Sequence, residues 1–328
     1  MLVDNHGRPL RYLRLGVTER CNLRCFYCMP EEGLPWSSKN QLLSYEEMLR
    51  LVAILAGLGI DKVRLTGGEP FVRKDLVYFM RELKAIKGIK QLSITTNGTA
   101  PVETIAQMKA LGIHAVNLSL DSLNPERFAR ITRRNEFDKV WSYFEELMNQ
   151  GLRTKINAVV MEEHNLEDIL PMVALTEKHS VSVRFIEEMP FNGGSKGYQK
   201  IKWNYEKILH HILNKHPQAL RLDDHSSSTS YNYKAPGYAG SFGVIPAYSR
   251  AICATCDRIR ITPKGELKTC LYQNGGFSFR DYMRAGATDK DLQAKFREHF
   301  GRRAKNGFEA EQNKEQSASF ESMATIGG

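Results

Sequence analysis

Six short β-rich segments alternate with amphipathic helical stretches between Tyr12 and about Glu187, and this alternation is typical of parallel βα units. The strand candidates are YLRLGVT (12–18), KVRLT (62–66), QLSITT (91–96), AVNLSL (115–120), RTKINAVV (153–160) and SVRFIE (182–187). The stretch after Leu43 indicates a helix in which Ser44 is the cap, Glu47 completes a capping box, and Gly57 or Gly59 ends the helix.

Successive right-handed βα units form either a full or partial barrel or an open doubly wound sheet, and one sequence separates these poorly. We expect an α/β fold built as a partial (βα)6 TIM-like barrel. In both architectures functional residues gather beyond the carboxyl ends of the strands. The unusual residues do lie there: ERCNLRCFYC follows the first strand, GGEP the second, NG the third and DS the fourth.

The βα rhythm breaks after Met189, at the Gly-rich connection FNGGSKGYQK. We therefore predict a barrel over residues 1–190, a smaller C-terminal region over 191–310 and a terminal tail over 311–328. The tail is polar, and its composition by itself predicts disorder.

Composition describes an ordinary globular chain, with 328 residues and 42% hydrophobic side chains, enough for a large core. The charged N-terminal stretch does not resemble a signal peptide, and no run is apolar enough to span a bilayer, so we expect a cytoplasmic protein without a membrane partner. The net charge of +9 favours an anionic partner, but a nucleotide, a nucleic acid and a polyanionic metabolite all satisfy it.

The first of two cysteine triplets, Cys21, Cys25 and Cys28, has the spacing C-x3-C-x2-C. A reducing cytosol disfavours disulfides, so metal ligation is the better interpretation. Structural zinc requires four protein ligands and the loop has no histidine, whereas a [4Fe-4S] cluster tolerates an open iron. Zinc completed by a distant residue is the alternative.

The second triplet, Cys253, Cys256 and Cys270, has the spacing C-x2-C-x13-C, and there is no seventh cysteine to complete a zinc ribbon. Between these cysteines, strand alternation in DRIRIT places Arg258 and Arg260 on one face. Two guanidinium groups beside a metal site form an anion clamp, although a solvated strand face would have the same pattern.

The first triplet resembles the radical S-adenosylmethionine (SAM) superfamily, because Tyr27 precedes the last cysteine and the loop follows the first barrel strand. The GGEP element, with Gly67, Gly68 and Glu69, matches the same family. The resemblance implies that SAM binds the open iron and is cleaved to a 5′-deoxyadenosyl radical. The SAM contacts that it implies are Tyr27, Gly67, Gly68, Glu69, Ser119 and Met189.

Over nearly the whole chain, the resemblance narrows to the GTP 3′,8-cyclase family of molybdenum cofactor biosynthesis. It is carried by LRLGVTERCNLRCFYCMP, VRLTGGEP, TTNG, VNLSLDS, KINAVVM, RFIEEMPF, KWN, CATCDRIRITPKGELKTCLY and the terminal Gly327-Gly328. The resemblance implies two [4Fe-4S] clusters, with GTP bound between them and converted to 3′,8-cyclo-7,8-dihydro-GTP. The implied GTP contacts are Arg14, Arg64, Thr95, Lys155, Arg258, Ile259 and Arg260, and the implied catalytic residues are Arg14, Arg258, Arg260, Gly327 and Gly328.

The implied partners are a donor such as flavodoxin or ferredoxin and, downstream, cyclic pyranopterin monophosphate synthase. No nucleic-acid partner is expected, and a homodimer stays open. Two alternatives remain: another radical SAM enzyme, such as a peptide maturase or tRNA modifier, and a zinc-stabilised nucleic-acid-binding protein. Two features depart from the family pattern. One is the insertion GGSKGYQKI before KWN, and the other is Asp257, at a position where asparagine is expected.

Overall fold

The strands of the computed structural model form one mixed sheet; the model describes residues 2–189, 201–225, 227–273, 275–312 and 321–327. The strands are β1 (Tyr12–Gly16), β2 (Lys62–Thr66), β3 (Gln91–Thr96), β4 (Ala115–Ser119), β5 (Thr154–Val160), β6 (Val181–Glu187), β7 (Leu220–Arg221), β8 (Tyr231–Lys234), β9 (Ser241–Ile245), β10 (Arg258–Ile261), β11 (Glu266–Lys268) and β12 (Phe277–Ser278). Their order across the sheet is β12-β11-β10-β1-β2-β3-β4-β5-β6-β9-β8-β7.

Helices connect successive strands of the barrel, and further helices follow the last strand. They are α1 (Tyr45–Leu58), α2 (Leu76–Ala85), α3 (Glu103–Ala110), α4 (Pro125–Thr132), α5 (Phe137–Asn149), α6 (Ile169–Lys178), α7 (Tyr205–Lys215), α8 (Phe279–Arg284), α9 (Asp289–Phe300), α10 (Gly307–Gln312) and α11 (Met323–Ile326). No helix of the described ranges is long and apolar enough to cross a membrane.

The parallel part of the sheet is wider than the six strands that the sequence predicts. Strands β1 to β6 pair in order and in parallel, as expected for βα units. The C-terminal region adds a parallel strand at each side, β10 beside β1 and β9 beside β6. The predicted partial barrel is confirmed, and the C-terminal region completes its wall.

The six strand predictions match the structure closely. Strands β2 and β3 have the predicted bounds, and the others differ by one or two residues. Helix α1 also begins and ends as predicted, because Ser44 and Glu47 form the capping box and Gly59 ends the helix at φ 109°.

Alternation along the strands separates an apolar outer face from a polar inner face. In β1, Leu13 and Leu15 are fully buried against the helices, and Tyr12 and Arg14 point to the other side. Fully burying a leucine side chain stabilises the fold by about 1.5–3 kcal/mol. The helix-facing leucines therefore stabilise the barrel, and the inner positions are free to carry polar chemistry.

The C-terminal tail does not follow its composition. Residues 321–327 are described, with α11 capped by Ser322, so the disorder expected from polar composition is wrong for this part. The predicted Gly-rich connection lies entirely outside the described residues, and so does Gly328. The predicted domain boundaries stay predictions, because one sheet runs through both the barrel and the C-terminal region.

Candidate active site

A cavity of about 1170 Å³ occupies the inner side of the barrel wall, and all six cysteines line it. Of the residues proposed from sequence to bind SAM or GTP, most also line this cavity. These are Arg14, Tyr27, Arg64, Gly67, Gly68, Thr95, Ser119, Lys155, Met189, Arg258 and Arg260. The fold thus brings the two triplets and the basic residues to one space.

The basic residues are neighbours because of strand register. Arg14 of β1 is paired with Arg260 of β10 on one side and with Arg64 of β2 on the other. At the preceding position on the same face of each strand, Tyr12 is paired with Arg258 and Lys62 in the same way. Adjacent strands lie about 4.8 Å apart, so these side chains form two short rows.

The rows concentrate positive charge: the pKa values of Arg14 and Arg260 are lowered, whereas Cys256 and Asp257 outweigh burial and raise the pKa of Arg258. Burial, reinforced by nearby Arg64 and Arg258, lowers the pKa of Arg14 to about 10. Burial, and next Arg14 and Arg258, lower the pKa of Arg260 well below its usual value. The Nε groups of Arg14 and Arg258 are buried and donate no hydrogen bond to any described residue. The two rows, with Arg14, Arg64, Arg258 and Arg260, are called the basic wall below. A wall of this kind suits a polyanion.

The sequence analysis missed further cations of the cavity wall, two of which lie within strands β1 to β6. Lys62 begins β2 and Arg184 lies in β6, and both line the cavity. The Nε of Arg184 is also buried, and no residue that the structure describes accepts a hydrogen bond from it. Strand alternation within KVRLT and SVRFIE was the available signal, since both residues alternate with buried valines.

Lys155 of β5 has a strongly lowered pKa. Burial, and then Arg184 and Arg64, lower the pKa of its ammonium to about 6. In the register between β3 and β5, Asn117 stands between Thr95 and Lys155. Its Oδ1 and the Thr95 Oγ1 are buried and have no hydrogen-bond partner within the described ranges. This side of the cavity therefore offers neutral groups for hydrogen bonding beside one lysine.

The loop after β1 presents Cys21, Cys25 and Cys28 to the cavity. The backbone N–H of Cys28 donates to the Cys25 carbonyl at 2.9 Å, which holds the end of the loop in a tight turn. Burial raises the pKa of the Cys21 thiol to about 12 and that of Cys28 to about 11. Such thiols become thiolates only beside a strong cationic centre, so this donor set fits an iron-sulfur cluster.

The GGEP turn is locked against this cysteine loop. The N–H of Gly68 donates to the Thr18 carbonyl at 2.8 Å, and the N–H of Glu69 donates to the Arg20 carbonyl at 2.8 Å. A Cβ on Gly68 would lie 2.3 Å from the Arg20 carbonyl oxygen, so only glycine permits this approach. The turn therefore positions the loop that carries the first triplet.

Two of the residues proposed as ligands do not line the cavity. Glu69 is 1% exposed, and its carboxylate accepts hydrogen bonds from the Asn97 N–H and the Thr96 hydroxyl. Ile259 is fully buried between Arg258 and Arg260. Direct contacts of Glu69 with SAM and of Ile259 with GTP stay predictions.

Tyr27 is held by a carboxylate that the sequence analysis did not select. Its hydroxyl donates to Asp121 Oδ2 at 2.8 Å, and Asp121 also accepts from the Val159 N–H at 2.8 Å. Burial raises the pKa of Asp121 to about 6. The DS pair after β4 was the available signal. Asp121 fixes the tyrosine next to Cys28 at the cavity wall.

The second triplet lies at the start of β10 and in the loop after β11. Burial alone would raise the pKa of the Cys256 thiol, but Arg258 and Arg303 outweigh it and lower the pKa to about 7. A thiol that ionises this readily fits metal ligation. In the part of the chain that the structure describes, no three His, Cys, Asp or Glu side chains are grouped to hold a single metal ion.

The terminal segment 321–327 reaches both triplet regions. Ser322 Oγ donates to the Cys28 carbonyl at 2.6 Å, and Glu321 forms an ion pair with the buried Lys268 beside the second triplet. Arg260 donates to the Gly327 carbonyl. Gly327 itself is not among the cavity-lining residues, although Met323 and Ala324 are.

Fold and site together define the radical SAM class: residues 15–176 match the Radical SAM superfamily model, and residues 181–309 match the Molybdenum Cofactor Synthesis C model. Streptococcus suis SuiB, crystallised with S-adenosylmethionine, has a similar fold, with a TM-score of 0.61 at 16% identity over 88% of this chain and 68% of that chain. The likeness to SuiB concerns the fold alone.

The relatives narrow the class. The GTP 3′,8-cyclase of Peptoclostridium acidaminophilum is 38% identical over 309 residues, which are 91% of this chain and 93% of that protein. Molybdenum cofactor biosynthesis protein 1 of Bos taurus is 42% identical over 292 residues, 89% of this chain but 46% of that protein. This chain spans about half the length of such animal relatives. It belongs to the GTP 3′,8-cyclase family.

Proposed function

We propose that this chain catalyses the radical conversion of GTP to (8S)-3′,8-cyclo-7,8-dihydroguanosine 5′-triphosphate, the first step of molybdenum cofactor biosynthesis. The observation that carries the proposal is the paired row Arg260–Arg14–Arg64 in a cavity that both cysteine triplets also line. This combination supplies a nucleotide triphosphate site beside two sulfur donor sets.

Cys21, Cys25 and Cys28 would hold the first [4Fe-4S] cluster, and Cys253, Cys256 and Cys270 the second. When bound, the reduced first cluster and SAM supply a 5′-deoxyadenosyl radical that abstracts a hydrogen atom. Gly67, Gly68, Ser119, Tyr27 and Met189 are the SAM-facing candidates. Tyr27 stays in place through its hydrogen bond to Asp121, and Met189 Sδ accepts a hydrogen bond from Tyr272.

The basic wall would bind and orient GTP. Arg14, Arg64 and Arg260 can each donate paired hydrogen bonds to phosphate oxygens, and their buried setting strengthens each contact. Arg258 would lie close to the second triplet, since it is two residues after Cys256. The unpartnered Thr95 Oγ1 and Asn117 Oδ1 suit neutral hydroxyl or amino groups of the nucleoside.

The segment 321–327 would complete the site. Arg260 contacts both the cavity and Gly327, so the tail and the bound triphosphate share one guanidinium group. Gly327 and Gly328 are proposed to act there, with Gly328 outside the described residues. The proposal also includes a cytoplasmic location, a donor such as flavodoxin or ferredoxin, cyclic pyranopterin monophosphate synthase as the next enzyme, and a homodimer as one assembly state.

An anaerobic assay tests the proposal. Reconstituted protein is mixed with SAM, dithionite and GTP, and 5′-deoxyadenosine and the cyclised nucleotide are followed by mass spectrometry, with ATP in place of GTP as the control. Both products appearing with GTP and no cyclised nucleotide with ATP support the proposal. Iron-loaded protein that cleaves SAM without altering GTP would overturn the substrate, and iron-loaded protein that forms neither product would overturn the enzyme class.

A further inference from the structure

A buried network outside the cavity joins the N-terminal segment to the second cysteine triplet. Asp4, Arg8 and Arg303 are 6%, 7% and 3% exposed. Arg8 Nε donates to Asp4 Oδ2 at 2.7 Å, and Arg303 Nη1 donates to the same oxygen at 3.1 Å. Residues 2–14 precede the matched family models, and the mechanism above does not use Asp4, Arg8 or Arg303.

Arg303 uses every N–H of its guanidinium group. Besides Asp4, its acceptors are the Thr269 carbonyl at 2.9 Å, the Cys256 carbonyl at 2.8 Å, the Arg258 carbonyl at 2.9 Å and Cys256 Sγ at 3.2 Å. A guanidinium group has five N–H donors in a rigid fork, so the five contacts saturate it. A lysine ammonium has three donors and cannot serve the same set.

The network touches each cysteine of the second triplet or its neighbour. Arg8 Nη1 donates to the Cys253 carbonyl at 3.2 Å, Arg303 binds Cys256 directly, and Thr269 immediately precedes Cys270. The two arginines therefore fix the backbone of all three ligand positions. Their shared carboxylate, Asp4, holds the two guanidinium groups together and offsets part of their charge.

We propose that Arg303 is a positioning residue of the second cluster site, which holds the cysteine loops in register and donates an N–H···S hydrogen bond to Cys256. Hydrogen bonds and positive charge at cluster sulfurs stabilise the reduced, more negative state and raise the reduction potential. The role rests on the second cluster of the proposed function. It assigns the N-terminal segment to that cluster, with Asp4 and Arg8 as supports.

The test uses full-length protein in which Cys21, Cys25 and Cys28 are changed to serine, so that the remaining EPR signal comes from the second cluster. Arg303→Met removes all donors at similar length, and Arg303→Lys keeps the charge but not the fork. Arg302→Lys is the matched control, since Arg302 is exposed and pairs only with Glu298 among the described residues. Iron and sulfide are quantified per protein chain to give the cluster content, and potentiometric titration gives the midpoint potential of the second cluster.

For Arg303→Met we expect the one-electron reduction to become about tenfold less favourable, a fall of about 59 mV. Arg303→Lys should give a smaller fall in midpoint potential. If circular dichroism shows that the methionine variant is unfolded, the lysine variant is the test, and an unchanged potential in it would contradict the proposal. A lower cluster content with an unchanged potential would overturn the sulfur hydrogen bond as a tuning contact. If the parent with Arg303 intact binds no cluster, the second cluster of the proposed function fails and this inference falls with it.

Discussion

Arg260 donates a hydrogen bond to the backbone carbonyl of Gly327, which joins one end of the arginine row Arg260–Arg14–Arg64 to the last described residue of the chain. The same guanidinium group is buried next to Arg14 and lines the cavity. One side chain therefore connects the proposed substrate site to the tail. Loss of that side chain should affect both.

We expect Arg260→Ala to weaken GTP binding by about 30-fold, roughly 2 kcal/mol, because a buried charged contact to phosphate is lost. Calorimetry on the anaerobic protein measures the affinity, and hydrogen exchange of residues 321–327 measures the tail. Arg81→Ala, on the exposed face of α2, is the control. Unchanged affinity together with an unchanged tail would refute the shared role.

The two cysteine triplets should separate in function. Cys25→Ser should abolish SAM cleavage, whereas Cys270→Ser should retain some uncoupled cleavage and lose the cyclised nucleotide. The reason is that Cys25 belongs to the triplet beside the SAM-facing residues, and Cys270 lies near the basic wall. Quantifying 5′-deoxyadenosine and the cyclised nucleotide in parallel checks this. Equal loss of both products in the two variants would contradict the division.

GTP binding should take up a proton at Lys155. The pKa of this ammonium is lowered to about 6, so at pH 7.5 the free protein holds it mostly neutral, and a phosphate group would restore its charge. Calorimetry at pH 7.5 in buffers of different ionisation enthalpy measures the uptake. Lys155→Met should remove it. An uptake that persists in Lys155→Met would assign the proton to another group.

Lys155 should also make the stability of the folded protein depend on pH. Its folded pKa lies below the unfolded value, so the unfolded chain binds more protons between about pH 6 and 10.5 and stability rises with pH across that window. Lys155→Met should reduce this slope in urea unfolding of the ligand-free protein. A slope identical to that of the parent would show that Lys155 contributes nothing to it.

A Cβ at Gly327 should displace the tail. Gly327 has φ 75°, and a Cβ there would lie 2.7 Å from Thr66 Oγ1. Gly327→Ala should therefore lower the rate at which cyclised nucleotide forms at least tenfold, which corresponds to about 1.4 kcal/mol on the barrier. Gly237→Ala is a matched control, because Gly237 has φ 80° with nothing within 4 Å of the added Cβ. Similar activities of the two variants would argue against displacement.

Local signals in the sequence predicted the ends of helix α1 and the face on which strand residues lie. Ser44, Glu47 and Gly59 define α1 through capping chemistry, which acts within a few residues and is therefore visible in the sequence. Alternation in DRIRIT likewise placed Arg258 and Arg260 on one face. Both kinds of pattern depend on contacts close in the chain.

Contacts between distant segments were not visible. The pairing of Tyr12 with Lys62 and Arg258 depends on strand register, so Lys62 was not recognised as part of the basic wall. Arg303 reaches Cys256 across 47 residues, and no local pattern marks it. Glu69 has a ligand-like motif, yet its carboxylate is used within the protein by Asn97 and Thr96.

Strands β9 and β10 cover the two outer parallel strands of the six-stranded core, β6 and β1. A fragment that ends before residue 200 would leave unpaired the N–H and C=O groups with which β1 and β6 bind these strands, although β1 would still pair with β2 and β6 with β5. Such bare edges invite association with other chains, so the N-terminal part expressed alone should aggregate. The two regions matched by separate family models therefore share one sheet, and swapping either between relatives requires edge strands that still fit.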